Sequence, residues 1–225
     1  MKRITMISVH PDDETLGCGG TLLRHGAAGD RLSWIIVTAG WEPKHSRELL
    51  ATKSAEVDRV AQAYQMADVT RLGLPTTRLR ELPVEQIVDA LGSAIERSQP
   101  DTIYTVHAGD VHTDHQAVVE AISIVCKPFR QRPRPERILS FETLSSTDAA
   151  FADAHRAFVP NLFVDITPHI ERKIAIMGMF ASEAQPDPQP RAAESIRALA
   201  RYRGATIGRE YAEAFMLIRE VQDAR

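Results

Sequence analysis

Apolar runs of strand length alternate with longer helical patterns through most of this 225-residue chain. This alternation indicates βαβ units, whose strands form a parallel sheet with helices packed on its faces. We therefore predict an α/β fold with a mostly parallel sheet flanked by helices. The predicted strands are Ile4–Val9, Leu32–Thr38, Val69–Leu72, Thr102–Val106, Ile138–Glu142, Phe163–Ile166 and Glu213–Glu220. The predicted helices are Leu16–His25, Arg47–Gln65, Val84–Ser98, Asp114–Cys126, Pro168–Glu183 and Ala192–Arg203.

Composition and charge restrict the partners of this chain. The net charge is only −3, so nothing favours nucleic acid or an anionic membrane surface as a partner. No apolar run approaches the length of a membrane span, and the two cysteines form no disulfide framework. We therefore predict a cytoplasmic protein, with the oligomeric state open and a homo-oligomer as one alternative. The proline-containing basic stretch Lys127–Arg137 is interpreted as a solvated surface loop.

Ionisable residues are concentrated directly after three of the predicted strands. The stretches are HPDDE after the first strand, TAGWE after the second, and HAGDVHTDH after the strand Thr102–Val106. The carboxyl ends of parallel strands share one edge of a sheet, and ligands of open α/β folds bind there. These stretches are therefore expected to meet at one site.

The stretch after the first strand fits a metal site better than a nucleotide site. A dinucleotide fingerprint would need a glycine where Leu22 stands, and the three acidic residues would repel a phosphate. The glycines are therefore assigned to close packing of a helix on the sheet. His10 and Asp13 can offer an imidazole and a carboxylate to one ion, while Asp12 can face a water molecule as a base.

The third ligand is expected from the HTDH stretch, because catalytic zinc usually takes three protein ligands. Asp114 is predicted to cap the following helix, which places His112 before its first turn and His115 inside it. One of these histidines suffices for the metal, and the other is predicted to be a cation that stabilises an oxyanion or protonates a leaving group. The other histidines are interpreted as surface or capping residues, except His107, which ends a strand near the site. Both cysteines are interpreted as packing residues.

The stretches HPDDETLGCGGTL and DVHTDH resemble the paired motifs of the PIG-L/LmbE-type family of zinc-dependent N-deacetylases. The intervening IIVTAG and RLGLP and the later YAEAFMLI also look similar, so the resemblance covers most of the chain. It implies a single Rossmann-like domain over residues 1–225. It also implies removal of the N-acetyl group from a small-molecule partner, an N-acetylglucosamine-like amino sugar or its conjugate.

The resemblance also implies roles for six residues of the two motifs. Asp12 is the general base, and His112 stabilises the transition state while Asp114 orients it. The metal is expected to be Zn²⁺, although nitrogen and oxygen donors also suit Fe²⁺ or another divalent ion. The implied metal ligands are His10, Asp13 and His115.

Substrate contacts are predicted after the second strand and on the next helix. Trp41 can stack on a sugar face, while a surface-loop interpretation of this stretch is equally open. Many family members have aspartate after LG-x-P, where this chain has Thr76 and Thr77, and several have arginine in place of Lys53. The identity of the sugar therefore stays open. The QPDPQP stretch, residues 185–190, is a candidate lid. The predicted contacts are Trp41, Glu42, Arg47 and Lys53.

Two other functions stay open beside deacetylation. One is an amidase of the same fold that cleaves a larger sugar-linked amide. The other is a non-catalytic metal-binding or nucleotide-binding module. The complete ligand set together with Asp12 and His112 favours an enzyme over a binding module.

Overall fold

The computed structural model describes residues 1–129 and 134–222, so part of the basic stretch Lys127–Arg137 lies outside the described residues. Among these residues, seven strands and six α-helices follow one another in the order that the sequence predicts, with 3₁₀ turns at Leu79–Glu81 and Thr167–His169. The strands are β1 (Arg3–Ser8), β2 (Arg31–Ala39), β3 (Asp68–Pro75), β4 (Thr102–Val106), β5 (Arg137–Phe141), β6 (Leu162–Asp165) and β7 (Ala212–Glu220). The helices are α1 (Asp13–Ala27), α2 (Arg47–Ala63), α3 (Val84–Ser98), α4 (Thr113–Val125), α5 (Ile170–Met177) and α6 (Ala193–Ala205).

All seven strands form one sheet in the order β3-β2-β1-β4-β5-β7-β6. The first five strands of that order pair in parallel, and β7 runs antiparallel to both β5 and β6. The predicted α/β class with a mostly parallel sheet is therefore confirmed. The chain passes from β1 to β2 on one side and later to β4 on the other side. This change of direction opens a crevice at the carboxyl ends of β1 and β4, where α/β proteins bind ligands.

The glycines of α1 allow this helix to approach the sheet closely. A Cβ atom on Gly17 would lie 1.8 Å from Phe141 Cδ2, and one on Gly20 would lie 2.7 Å from Ile166 Cβ. Only a residue without a side chain fits at these two positions. The interpretation of the glycines as packing residues is thus confirmed, and the close contact holds the amino end of α1 at the crevice.

One predicted helix is shorter than its sequence pattern. The prediction extended it to Glu183, but α5 ends at Met177 and residues 178–192 are irregular. The reason is tertiary: the Ser182 backbone N–H donates to Glu56 Oε1 on α2 at 3.0 Å, so it does not donate to a helix carbonyl. This irregular segment therefore lies beside α2 and reaches the crevice.

No helix in the described part of the chain is both long enough and apolar enough to cross a membrane.

Candidate active site

A cavity of about 520 Å³ opens at the carboxyl ends of β1 and β4. Its wall comes from residues at or after the ends of β1, β2, β3, β4 and β5, from one side of α2, and from the irregular segment between α5 and α6. The predicted meeting of the HPDDE and HTDH stretches is therefore confirmed. The predicted residues that line this cavity are His10, Asp12, Asp13, Lys53, His112 and His115.

Three side chains converge at the base of the cavity. His10 Nδ1 lies 3.2 Å from His115 Nε2, and Asp13 Oδ2 lies 3.8 Å and 3.5 Å from these two nitrogens. Asp13 Oδ2 also accepts the backbone N–H groups of Val9 and His10, at 3.0 Å and 2.8 Å, which fixes this carboxylate against the end of β1. His112 contributes a further ring nitrogen, and the nitrogens of His10, His112 and His115 lie within 4.8 Å of one another. This cluster can hold a metal ion.

Asp110 supports His115 from behind, and the sequence reasoning missed it. Asp110 Oδ2 lies 3.1 Å from His115 Nδ1, and the Asp110 side chain is fully buried. Its carboxylate also accepts the His112 backbone N–H at 2.8 Å. These contacts hold the pKa of Asp110 below its usual range despite burial, and the nearby carboxylates of Asp110 and Asp13 raise the pKa of His115. The sequence feature that could have identified Asp110 is its position in the charged stretch HAGDVHTDH, two residues before His112.

Asp114 does not cap α4, contrary to the prediction. His112 is the N-cap residue, and its Nδ1 accepts the Asp114 backbone N–H at 3.2 Å. The Asp114 carboxylate turns away from this bond: Oδ2 accepts the Thr77 N–H at 2.6 Å and lies 3.3 Å from His10 Nε2. In this structure Asp114 therefore orients His10, whereas the resemblance implied that it orients His112.

The surroundings of His112 favour the neutral form of its ring, and its role as a cation stays a prediction. Burial is the main cause that lowers the pKa of His112 to about 4, and the charges of His10 and His115 add to it. Because Nδ1 accepts a backbone N–H, the ring proton of the neutral form is assigned to Nε2. His112 can therefore donate one hydrogen bond into the cavity.

Asp12 has an unusual backbone conformation, with φ at 126° and ψ at −27°. Its carbonyl oxygen accepts the first N–H groups of α1, from Thr15 and Leu16, at 3.0 Å and 2.9 Å. Its carboxylate is buried and accepts a hydrogen bond from Arg191 Nη1 at 2.9 Å. Burial and the negative charges of nearby carboxylates raise the pKa of Asp12, against the opposite effect of Arg191.

Of the predicted substrate contacts, only Lys53 reaches the cavity lining. Arg47 is largely exposed and pairs with Glu42 at 2.8 Å, while Trp41 donates through Nε1 to the Thr76 carbonyl at 3.3 Å. The role of Trp41, Glu42 and Arg47 as substrate contacts stays a prediction. Four lining residues that the sequence reasoning did not select as contacts are Lys44, His45, Glu183 and Arg191.

Two relatives with similar sequences are named deacetylases. The chain is 28% identical over 150 residues to the uncharacterized deacetylase YaiS from Escherichia coli (strain K12), covering 64% of this chain and 76% of YaiS. It is 24% identical over 233 residues to the diacetylchitobiose deacetylase of Thermococcus kodakarensis, covering 97% of this chain and 84% of that protein. These relatives support a hydrolase that acts on N-acetyl amides.

Solved structures share the whole fold. The conserved protein TT1542 from Thermus thermophilus has a TM-score of 0.77 and 27% identity, and the match covers 100% of this chain and 98% of that one. GalB, the 4-carboxy-2-hydroxymuconate hydratase from Pseudomonas putida KT2440, has a TM-score of 0.75 and 17% identity. This match covers 100% of this chain and 99% of GalB. The second match shows the shared fold alone, since the chemistry of a fold depends on its site.

The family comparison agrees with both motifs and with the fold. The PIG-L family, described as GlcNAc-PI de-N-acetylase, matches residues 5–126, which is more than half of the chain and includes every residue of the histidine and aspartate cluster. The resemblance inferred from the sequence is thus confirmed, and this chain belongs to the PIG-L family of de-N-acetylases.

Proposed function

We propose that this protein is a metal-dependent hydrolase that removes the N-acetyl group from an N-acetylglucosamine-like amino sugar or its conjugate. The observation that carries the proposal is the convergence of His10, Asp13 and His115 beside the buried carboxylate of Asp12. The relative from Thermococcus kodakarensis, named a diacetylchitobiose deacetylase, supports an N-acetyl sugar as the substrate class.

The donor set fits a tetrahedral divalent ion. Ligand atoms at about 2.0–2.1 Å from such an ion lie roughly 3.3 Å apart. The separations among His10 Nδ1, His115 Nε2 and Asp13 Oδ2 are 3.2, 3.5 and 3.8 Å, which lie close to that edge length. We assign these three residues as the ligands and Zn²⁺ or Fe²⁺ as the ion, because imidazole suits both. When bound, the ion polarises the amide carbonyl and lowers the pKa of water.

The chain's own side chains then handle the protons. Asp12 takes a proton from the attacking water, and the new C–O bond places negative charge on the former carbonyl oxygen. The Nε2–H of neutral His112 donates a hydrogen bond to that oxygen, in the manner of an oxyanion hole. Asp12 delivers its proton to the sugar nitrogen as the C–N bond breaks, which releases a free amine and acetic acid, and the acid then ionises to acetate.

Asp110 and Asp114 hold the histidines in the orientation that this arrangement needs. Asp110 lies against His115 Nδ1, and Asp114 lies against His10 Nε2, so each ring presents its other nitrogen to the ion. A carboxylate behind a ligating histidine fixes the ring tautomer and raises its basicity. Substitution of either aspartate is therefore expected to weaken metal binding before it affects folding.

The test combines metal analysis with an assay for released amine. Purified protein is expected to hold one divalent ion per chain, to release primary amine from N-acetylated sugars, free or nucleotide-linked, and to lose this activity on chelation. Asp12→Asn is expected to keep the metal and to lose about 10²–10⁴-fold in kcat. Asp165→Asn, at the edge strand β6, is the matched control and is expected to keep full activity.

Three results would contradict the proposal. Full activity of Asp12→Asn would remove this residue from the role of base. Activity that persists after complete metal removal would remove the ion from the reaction. Release of larger acids from sugar amides, without release of acetate, would favour the amidase alternative.

A further inference from the structure

Arg191 is the first residue after the proline-rich run 185–190, and its side chain reaches the proposed base. Arg191 Nη1 donates to Asp12 Oδ2 at 2.9 Å and to Glu183 Oε2 at 2.6 Å. In the described part of the chain, this is the only side-chain hydrogen bond that the Asp12 carboxylate accepts. Arg191 therefore links the irregular segment 178–192 to the start of α1.

The segment that carries Arg191 is itself held in place. Ser182 donates its N–H and its hydroxyl to the two carboxylate oxygens of Glu56 on α2, at 3.0 Å and 2.7 Å. Glu183 pairs with Lys53, also on α2. Arg191 Nη1 thus has a second acceptor, Glu183, which is itself paired with α2, so its position does not depend on the Asp12 contact alone.

The backbone of Asp12 sets where its side chain begins but leaves its direction open. Its N–H donates to Glu14 Oε2 at 3.2 Å and its carbonyl accepts from α1, so the backbone is held on both sides. The carboxylate can still rotate about its side-chain bonds. A charge-assisted hydrogen bond from a guanidinium restricts such rotation more strongly than a neutral one.

We propose that Arg191 is a positioning residue that holds the Asp12 carboxylate toward the reacting water by binding Oδ2 and leaving Oδ1 for the proton. This inference rests on the proposed role of Asp12 as the base. It also gives the proline-rich run a function, because the run delivers Arg191 to the cavity.

Misplacement of a catalytic group by about 1 Å can cost about 100-fold in rate, and this scale sets the expected effect. Arg191→Gln is expected to lower kcat by about 10- to 100-fold, while KM stays within about threefold and the metal content is unchanged. Added guanidinium ion, far below denaturing concentrations, is expected to restore part of the activity of Arg191→Ala. It should restore none in Asp12→Asn.

Ser182→Ala is the matched control for loosening of the segment. It removes one hydrogen bond to Glu56 without touching Asp12, and its kcat is expected to stay within about twofold of the wild type. An equal loss in Ser182→Ala and Arg191→Gln would show that the segment matters only as a support, and the positioning role would be overturned.

Crystal structures of the wild type and Arg191→Gln give a readout that needs no substrate. The Asp12 carboxylate is expected to leave its wild-type position in the variant, and an unmoved carboxylate would overturn the inference. The outcomes separate the two proposals. Full activity of Arg191→Gln beside an inactive Asp12→Asn refutes only the positioning role, whereas a metal-loaded wild type that releases no amine refutes the proposed function.

Discussion

Replacing Asp12 by glycine and by alanine isolates the cost of its backbone conformation. Asp12 adopts φ 126° and ψ −27°, a region that side chains with a Cβ rarely occupy. Both substitutions remove the same carboxylate, the same contact with Arg191 and the same repulsion from neighbouring acids. The two variants therefore differ in the Cβ atom alone, and their difference in stability measures the strain.

The magnitude follows from two opposing contributions. A residue held in a sparsely populated region costs about 1–3 kcal/mol, and glycine removes most of that cost. Glycine also gives the unfolded chain more freedom, which costs about 0.4–1 kcal/mol relative to alanine. Asp12→Gly is therefore expected to unfold with a free energy about 1 kcal/mol larger than that of Asp12→Ala.

Denaturant unfolding measures this difference, and thermal unfolding supports it. For a chain of this length, about 1 kcal/mol corresponds to roughly 2–4 °C in Tm. Both variants are expected to be inactive and to retain the metal. Asp58, on the exposed face of α2, is the control position. There the free energy of unfolding of the alanine variant is expected to exceed that of the glycine variant by about 1 kcal/mol. If Asp12→Ala is as stable as Asp12→Gly, or more stable, backbone strain at position 12 is refuted.

Three further predictions concern the scaffold around the site. Gly17→Ala places a Cβ 1.8 Å from Phe141 Cδ2 and is expected to cost about 1–3 kcal/mol in denaturant unfolding. Lys173→Met breaks a buried pair with Glu213 at 2.7 Å and should cost about 3–5 kcal/mol, part of which the double variant with Glu213→Gln recovers; no recovery would contradict the pairing. Burial lowers the pKa of His25 from 6.5, so the folded state binds its proton less tightly, and the free energy of unfolding should fall as pH drops below about 6.5. Denaturant unfolding of the wild type and of His25→Gln at pH 5 and 7.5 checks this. The fall in the free energy of unfolding between pH 7.5 and pH 5 should be smaller in the variant than in the wild type.

The two charged motifs were predictable because their placement depends on local chain order. HPDDE follows β1 and HTDH follows β4, and parallel strands bring their carboxyl ends to one edge whatever their side chains are. The glycines of α1 were equally readable, since no other residue allows so close a contact with the sheet. Predicting these features requires only the alternation of strands and helices along the chain.

Arg191 and Asp110 could not be recognised in the same way. Arg191 is 179 residues from Asp12 in sequence, and their contact depends on where α5 ends and how segment 178–192 binds α2. Asp110 is the first residue of DVHTDH, but its pairing with His115 depends on the curve of the chain before α4. The lowered pKa of His112 follows mainly from burial, with the charges of His10 and His115 adding to it, and no local pattern records these causes.

Local patterns in the chain were enough to predict the fold class, the family and the edge of the sheet at which the site lies. Periodicity and short motifs carry that information, because strand and helix formation and the direction of parallel strands are set by nearby residues. The folded chain was needed to find which carboxylate stands behind which histidine, that burial lowers the pKa of His112, and that Arg191 contacts Asp12. Those properties depend on distances and burial between segments far apart in the chain, and packing of the whole domain sets them.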